Sequence, residues 1–149
     1  MEHKKIVCID FDGVINSYKS GWVGPTDLPD PPTEGAIDWL NDFVSNYCIG
    51  KPHNRGEYEL YILTSRCVGY DGHKAADSIR TMKAWLRKYG IWPEVLREIK
   101  FTGKKKAATI IIDDRTICFR GSYKGLTKKI LEFEPWHKKG IWGESETNE

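Results

Sequence analysis

The sequence predicts an α/β protein built on a mainly parallel sheet, and three observations lead to this fold class. Apolar runs of strand length alternate with segments of helical periodicity along the 149 residues. The first apolar run, Lys5–Ile9, is continuous, which is typical of a strand buried on both faces of a parallel sheet. Three predicted strands end in polar residues, and open α/β sheets bind ligands beyond the carboxyl ends of their strands.

The first half of the chain supplies two predicted strands and one helix. Lys5–Ile9 is rich in β-branched residues, as strands are. Residues 17–32 contain two glycines and four prolines, which predicts a long loop of a kind that often carries function. Thr33 is placed to cap the next helix, and the second strand is expected at Tyr58–Leu63. The apolar residues at helical spacing are Ile37, Leu40, Val44 and Tyr47.

The second half of the chain continues the alternation. Residues 73–89 have helical periodicity, and residues 95–101 are expected to form a short strand. Residues 109–112 give the strongest strand signal after the first, and residues 123–133 predict a last helix. The acidic tail 144–149 is expected to be frayed. No repeat or linker divides the chain, so one domain spanning residues 1–149 is predicted.

Composition narrows the class of protein. A hydrophobic fraction of 40% and an aromatic fraction of 12% are those of a globular chain. The formal net charge of +2 is too small to favour nucleic acid by bulk attraction. The four cysteines match no zinc spacing and indicate ordinary thiols in a reducing compartment. Without a signal-peptide core or a run of membrane-spanning length, a cytoplasmic protein with no membrane association is expected.

Acidic residues follow two of the predicted strands. Asp10 and Asp12 come after the first strand, and Asp113 and Asp114 come after the strand at 109–112. Carboxylates gathered at one sheet edge repel one another, and a bound divalent cation relieves that repulsion. A site made only of oxygen ligands suits Mg²⁺, which shares its coordination shell with water and phosphate. The sequence therefore predicts a magnesium site for phosphoryl transfer.

These residue types also supply the other parts of such a reaction. An aspartate can attack phosphorus and form an aspartyl-phosphate, and an acid two residues on can move the proton. Gly13 lets the backbone turn sharply and brings its amide near the site. The hydroxyls of Thr64 and Ser65 can hold phosphate oxygens, and a lysine can offset charge in the transition state.

Each of these residues also has an ordinary structural interpretation. An Asp-x-Asp-Gly segment is common as a solvated turn, and Thr64 can simply cap the next helix. Asp113 and Asp114 can cap a loop with Arg115 as a surface partner. The functional interpretation is preferred because the ordinary ones would have to hold together at one sheet edge.

The ordered motifs resemble those of the haloacid dehalogenase (HAD) superfamily. Ile9-Asp10-Phe11-Asp12-Gly13-Val14 looks like its first motif, and Leu63-Thr64-Ser65-Arg66 resembles the second. The lysines at 104–106 stand where the third motif lies, and Ile110-Ile111-Ile112-Asp113-Asp114 matches the fourth. The resemblance covers residues 5–120 in the expected order. It implies a Rossmann-like three-layer fold in which helices flank a mainly parallel sheet.

The resemblance also implies roles for the four acids. Asp10 would be the nucleophile and a ligand of Mg²⁺. Asp12 would be the general acid and base, with its main-chain carbonyl on the metal. Asp113 would complete the metal site directly, and Asp114 directly or through water. An acid at position 12 is typical of phosphatases and phosphotransferases in this superfamily.

The second and third motifs imply the phosphate contacts. Thr64 would bind the phosphoryl group together with Ser65. Lys105 is the preferred third-motif lysine because of its distance in sequence from Asp113, and Lys104 and Lys106 remain alternatives. These two motifs are weak when each is taken alone.

The intervals between the motifs leave little room for a cap domain, so a capless or minimally capped enzyme is expected. The loop at 17–32, which contains Trp22, is the best candidate for a lid. A basic rim would suit a nucleotide or a nucleic-acid end, although ordinary surface charge explains the same residues equally well. The residues proposed for that rim are Arg66, Lys74, Arg115 and Arg120.

The sequence thus predicts a Mg²⁺-dependent phosphatase that hydrolyses phosphate monoesters. Its partner would be a phosphorylated substrate: a nucleotide, an oligonucleotide end, a sugar phosphate or a phosphoprotein. Two alternatives remain, a non-catalytic phosphate-binding or nucleotide-binding module on the same fold, and a phosphotransferase. Nothing in the sequence indicates an oligomeric state.

Overall fold

The computed structural model describes residues 3–52, 54–69, 72–108 and 110–138. Two of the sequence-based predictions fall outside these residues, at Thr109, the expected first residue of a strand, and at the tail 144–149.

In the described residues, six strands form two sheets. In chain order they are β1 (Lys5–Ile9), β2 (Gly50–Lys51), β3 (Asn54–Arg55), β4 (Tyr58–Leu63), β5 (Lys100–Thr102) and β6 (Ile110–Ile112). The central sheet has the order β5-β4-β1-β6 and all its pairs are parallel, whereas β2 and β3 form a separate antiparallel pair. The prediction of an α/β fold on a parallel sheet is therefore confirmed.

Register brings the ends of three strands to one edge of the sheet. Cys8 in β1 lies opposite Tyr61 in β4 and opposite Ile111 in β6. The amide of Asp10, just past β1, donates to the carbonyl of Ile112 at 2.9 Å. The polar residues that follow β1, β4 and β6 therefore meet at the carboxyl edge, as the topology predicts.

Helices flank the sheet. They are α1 (Ala36–Phe43), α2 (Ala75–Lys88), α3 (Pro93–Glu98) and α4 (Leu126–Leu131). A π-helix continues α1 over Val44–Ile49, and 3-10 turns cover Ser65–Cys67 and Trp136–Lys138. None of the helices among the described residues is long and apolar enough to cross a membrane.

The core joins β1 and β4 to the first three helices. Apolar residues of these elements bury nine-tenths or more of their surface, for example Leu60, Met82 and Val95. In contrast, α4 contributes no buried residue. In the described part of the chain the core is therefore formed without the last helix.

The prediction of a strand at 95–101 is wrong in its first part. Pro93 stands in the first turn of α3, where its fixed φ and missing N–H are tolerated, and Glu94 follows it. Val95 and Leu96 are both buried from this helix, and only Lys100–Thr102 forms a strand. A short apolar run is compatible with a helix or a strand, and the helix-start signal at Pro93 favours the helix.

The start of α1 also differs from prediction. Gly35, with φ of +80°, precedes the helix, and the amide of Ala36 donates to the carbonyl of Thr33 at 3.0 Å. Thr33 therefore belongs to a turn before the helix and does not cap it. Its buried hydroxyl has no hydrogen-bond partner among the described residues.

Candidate functional site

Three carboxylates converge beyond the carboxyl edge of the sheet. Asp10 follows β1, and Asp113 and Asp114 follow β6. One carboxylate oxygen from each lies within 4.8 Å of the others, close enough for a single ion to contact all three. The structure thus brings together three of the four acids that the sequence singled out as metal ligands.

Each of these carboxylates has one oxygen engaged by a protein donor. Oδ1 of Asp10 accepts from the amide of Phe11 at 2.8 Å, and Oδ1 of Asp113 accepts from the amide of Arg115 at 2.9 Å. Oδ2 of Asp114 lies 2.8 Å from Nε2 of His137. These contacts help to fix the orientation of the carboxylates, and the three groups converge so that a single cation can contact one oxygen of each.

Asp114 supplies the clearest sign of a missing partner. Its side chain is only 1% exposed, and Oδ1 is buried without a hydrogen-bond partner among the described residues. An unsatisfied buried carboxylate oxygen is costly, because the group has lost its water and gained nothing in exchange. The candidate metal ligands here are all carboxylate oxygens, so a hard divalent cation such as Mg²⁺ fits this site.

The burial and closeness of the three carboxylates also shift their pKa values. Burial, the carboxyl of Asp114 and the charge of Asp113 raise the pKa of Asp10 to about 8. Burial also raises the pKa of Asp113. For Asp114, burial acts to raise the pKa, but hydrogen bonding with His137, Asp10 and Asp113 outweighs it and lowers the pKa. Three charges cannot be held here together without a counter-ion.

Asp12 is placed differently from the other acids. Its Oδ2 accepts from Nε of Arg66 at 2.8 Å, and its Oδ1 accepts from Nη2 of Arg66 at 3.0 Å and from Nδ2 of Asn16 at 2.9 Å. The side chain of Asp12 is therefore used in a bidentate ion pair and lies outside the three-acid cluster. Asn16 was not singled out from the sequence.

Arg66 also holds the loop at 17–32. The guanidinium, whose side chain is 1% exposed, donates through Nη1 to the carbonyls of Gly24 and Pro25 at 2.9 and 3.1 Å. The ring of Trp22 lies 4.8 Å from the guanidinium carbon, which is cation–π distance. The sequence placed Arg66 on a substrate-binding rim, whereas here the donors of its guanidinium are bonded to Asp12 and to the loop.

Gly13 lies at the centre of the site. Its φ is +84°, and a Cβ built on it would come 2.8 Å from Nε2 of His137 and would also collide with the carboxylate of Asp114. Its amide donates to the carbonyl of Asn16 at 2.9 Å. The predicted need for glycine is thus explained by conformation and close approach, and the amide that was expected to lie near the site donates within a turn.

The hydroxyls after β4 have different surroundings. Thr64 is buried, and its Oγ1 accepts from the amide of Arg66 at 3.2 Å, so it caps the 3-10 turn Ser65–Cys67. Ser65 is exposed. Both follow β4 as predicted, and their roles in binding phosphate stay predictions.

The structure distinguishes the three candidate lysines. Lys105 is exposed and forms no ion pair with a described residue, as is also true of Lys104. Lys106 is partly buried, and its Nζ lies 5.3 Å from the ring centre of Tyr61. Burial raises the pKa of Cys8, and Lys106 opposes part of that rise, which places Lys106 beside β1 as well.

Cys8 and Tyr61 face each other in neighbouring parallel strands, so their side chains share one face of the sheet. Because alternate residues of a strand share a face, Asp10 continues the face of Cys8 at the end of β1. Lys106 is therefore the lysine whose position best suits the third-motif role, and it was an alternative to the preferred Lys105.

Two contacts at the site come from the C-terminal part of the chain and were missed by the sequence analysis. Nε1 of Trp136 donates to the carbonyl of Gly13 at 2.7 Å, across 123 residues. His137, next to it, contacts Asp114 and was likewise not singled out from the sequence. The only available signal was an aromatic pair after Pro135 in an otherwise polar stretch.

Of the other residues proposed for a basic rim, only Arg115 contacts the acids. Its Nε lies 3.8 Å from Oδ2 of Asp114, and its side chain is more than half exposed. Lys74 and Arg120 are exposed and pair with no acid in the part of the chain that the structure describes.

Comparison of the chain with protein-family models, with curated proteins and with solved structures gave no match.

Proposed function

We propose that the chain is a Mg²⁺-dependent phosphatase that hydrolyses phosphate monoesters through an aspartyl-phosphate on Asp10. The observation that carries this proposal is the convergence of Asp10, Asp113 and Asp114, together with the buried Oδ1 of Asp114, which has no hydrogen-bond partner among the described residues. The resemblance of the ordered motifs to the HAD superfamily supports the choice of reaction.

The three carboxylates would hold the cation between them. Mg²⁺ bound there would neutralise the cluster, keep Asp10 ionised and polarise the phosphoryl group of a substrate. Asp10 is the candidate nucleophile because it ends the central strand β1 and because its Oδ1 is fixed by the amide of Phe11. That hydrogen bond holds the carboxylate in a fixed position at the end of the strand.

The reaction would proceed in two displacements. In the first, a carboxylate oxygen of Asp10 bonds to phosphorus while the bond from phosphorus to the ester oxygen breaks, and Asp12 gives its proton to the leaving oxygen. In the second, Asp12 takes a proton from water, the water oxygen bonds to phosphorus, and the bond from Asp10 to phosphorus breaks. Inorganic phosphate is released and both acids return to their starting states.

Asp12 has a constraint in this scheme. All three of its hydrogen bonds are donated to the carboxylate by Arg66 and Asn16, two of them to Oδ1. Only Oδ2 keeps a lone pair for a proton, and release of Arg66 would free the carboxylate to turn toward a leaving oxygen. Movement of the loop at 17–32, which is bonded to the same guanidinium, would provide that opportunity. This loop is therefore the candidate lid, and its position would respond to substrate.

The proposal is tested with a generic aryl phosphate and the full chain. Turnover should require Mg²⁺, stop in EDTA and fall to background in Asp10→Asn. Asp38→Asn, the same change on an exposed residue of α1, is the matched control and should retain full activity. Full activity of Asp10→Asn, or turnover that EDTA does not affect, would overturn the proposal.

The locked state of Asp12 favours a second candidate, a non-catalytic module that binds phosphate or nucleotide. That module would bind Mg²⁺ and phosphate without turnover across nucleotides, sugar phosphates, phosphopeptides and phosphorylated oligonucleotides. A phosphotransferase would instead yield a phosphorylated acceptor. One screen that measures binding, free phosphate and acceptor labelling separates the three.

A further inference from the structure

The 3-10 turn Trp136–Lys138 packs directly against the acid cluster. Nε1 of Trp136 donates to the carbonyl of Gly13 at 2.7 Å, and Nε2 of His137 lies 2.8 Å from Oδ2 of Asp114. The side chains of His137 and Asp114 are 2% and 1% exposed, so this contact is shielded from water. A segment far along the chain thus contributes to the site formed after β1 and β6.

The ring of His137 is held on several sides. The ring of Tyr18 meets it edge to face at 5.9 Å between centres, and the ring of Trp136 does so at 5.8 Å. The backbone of Gly13 approaches so closely that a Cβ there would come 2.8 Å from Nε2. His137 therefore has little freedom to turn away from Asp114.

The hydrogen bond distinguishes the two oxygens of Asp114. Oδ2 is engaged by His137, while Oδ1 is buried and has no partner among the described residues. A carboxylate free to rotate would exchange these oxygens, whereas one fixed through Oδ2 presents Oδ1 continuously. Carboxylates that bind metals are commonly oriented by such outer hydrogen bonds.

We propose that His137 is a positioning residue for the cation site, and that its Nε2–H holds Asp114 so that Oδ1 faces the cation. The proposal rests on the cation site of the proposed function. His137 itself lies outside the cluster of oxygens that converge on one point. Its effect is exerted through Asp114, and Trp136 keeps the turn in place by its bond to Gly13.

The test measures binding of Mg²⁺ alone to the full chain by calorimetry. His137→Leu removes the donor, and we expect affinity for Mg²⁺ to fall by about 10-fold to 100-fold, as is usual when a ligand's outer partner is lost. His137→Gln can place an amide nitrogen near the position of Nε2 and should restore most of the affinity. His137→Asn has too short a side chain to reach Oδ2 and should resemble His137→Leu.

Controls separate positioning from folding. His3→Leu makes the same chemical change before β1, at the opposite edge of the sheet, and should leave Mg²⁺ affinity unchanged. Thermal unfolding in EDTA reports the structural cost of each variant without the metal. If His137→Leu does not fold, the comparison of His137→Gln with His137→Asn still tests the hydrogen bond.

The outcomes also separate this proposal from the proposed function. Failure of the unmodified chain to bind Mg²⁺ would overturn the cation site itself. Binding by the unmodified chain together with equal affinity in His137→Leu, or in His137→Asn, would overturn the role of His137 alone. Equal losses in His137→Gln and His137→Asn would also overturn it, because the restored donor would then have no effect.

Discussion

Arg66 and Asp12 form a bidentate ion pair across 54 residues, with Nε–Oδ2 at 2.8 Å and Nη2–Oδ1 at 3.0 Å. The side chains are 1% and 14% exposed, so water screens the pair weakly. The remaining nitrogen of the guanidinium is bonded to carbonyls of the loop at 17–32. Arg66 thus links Asp12 after β1, the turn after β4 and the loop at 17–32.

Replacement of Arg66 should be strongly destabilising. Arg66→Ala leaves Asp12 and the loop carbonyls without their donor, and removing one partner of a buried pair costs about 3–5 kcal/mol. Arg66→Lys keeps the charge but loses the planar fork, so it should recover only part of that loss. Urea unfolding of the variants measures both effects.

The matched control for that experiment is Arg80→Ala. Arg80 pairs with Asp77 on the exposed surface of α2 at 3.1 Å, and both side chains are largely in water. Such a pair contributes less than about 1 kcal/mol. Similar losses in Arg66→Ala and Arg80→Ala would contradict the structural role given to Arg66.

The stability of the metal-free protein should fall as pH rises from weakly acidic to weakly alkaline values. The pKa of Asp10 is raised from 3.8 to about 8, so the folded chain retains a proton that the unfolded chain has released. A raised pKa contributes stability that is complete below the unfolded pKa and is lost as pH approaches about 8. Asp113, whose pKa is also raised, acts in the same direction.

Calorimetric unfolding in EDTA across this range measures the effect, and Asp10→Asn is the reference because it cannot titrate. The melting temperature of the unmodified chain should fall relative to that of Asp10→Asn as pH rises. Saturating Mg²⁺ should oppose the decline, since cation binding replaces the proton on Asp10 and becomes tighter as pH rises. Parallel curves for the two proteins in EDTA would contradict the raised pKa.

Gly13→Ala should cost more than an ordinary change at a positive φ. The strained backbone alone costs about 1–2 kcal/mol, and the new Cβ would crowd His137 and Asp114, with overpacking adding about 1–3 kcal/mol. Gly21→Ala is the control, because Gly21 has φ of +70° and no neighbouring atom within 4 Å of a Cβ. Equal losses by chemical denaturation would show that crowding at Gly13 is relieved without cost.

Much of the sheet and part of the site follow from local sequence. The bounds of β1 and β4 agree with prediction because β1 is a nearly continuous apolar run and β4 is mostly aromatic and aliphatic. Parallel topology then places Asp10 and Asp113 at one edge of the sheet. The residues at 93–101 are ambiguous in sequence, because a short apolar run fits a helix and a strand alike, and Pro93 is the local signal that favours the helix.

Contacts between distant segments could not be predicted in the same way. The pairing of Arg66 with Asp12 and that of His137 with Asp114 depend on how a loop and a C-terminal turn cross the sheet edge. No periodicity in the sequence predicts how these two segments cross the sheet edge. Residue type suggested a basic group near the site, but only the fold shows that Arg66 is buried and already bonded.

The lysine of the site gives a last prediction, which separates the sequence-based choice from the structural one. Lys106 lies beside Tyr61 on the sheet face that Asp10 continues, while Lys105 is exposed. If the chain is a phosphatase, Lys106→Ala should lower kcat by about 10²–10³-fold, the usual effect of removing one transition-state contact. Lys105→Ala should change kcat by less than about threefold, because an exposed lysine distant from the reacting atoms is screened by water. Steady-state kinetics of both variants at saturating Mg²⁺ decides between them, with thermal unfolding to show that each is folded.

A large loss in Lys105→Ala with none in Lys106→Ala would restore the choice made from sequence spacing and would mean that the segment at 104–106 rearranges around substrate.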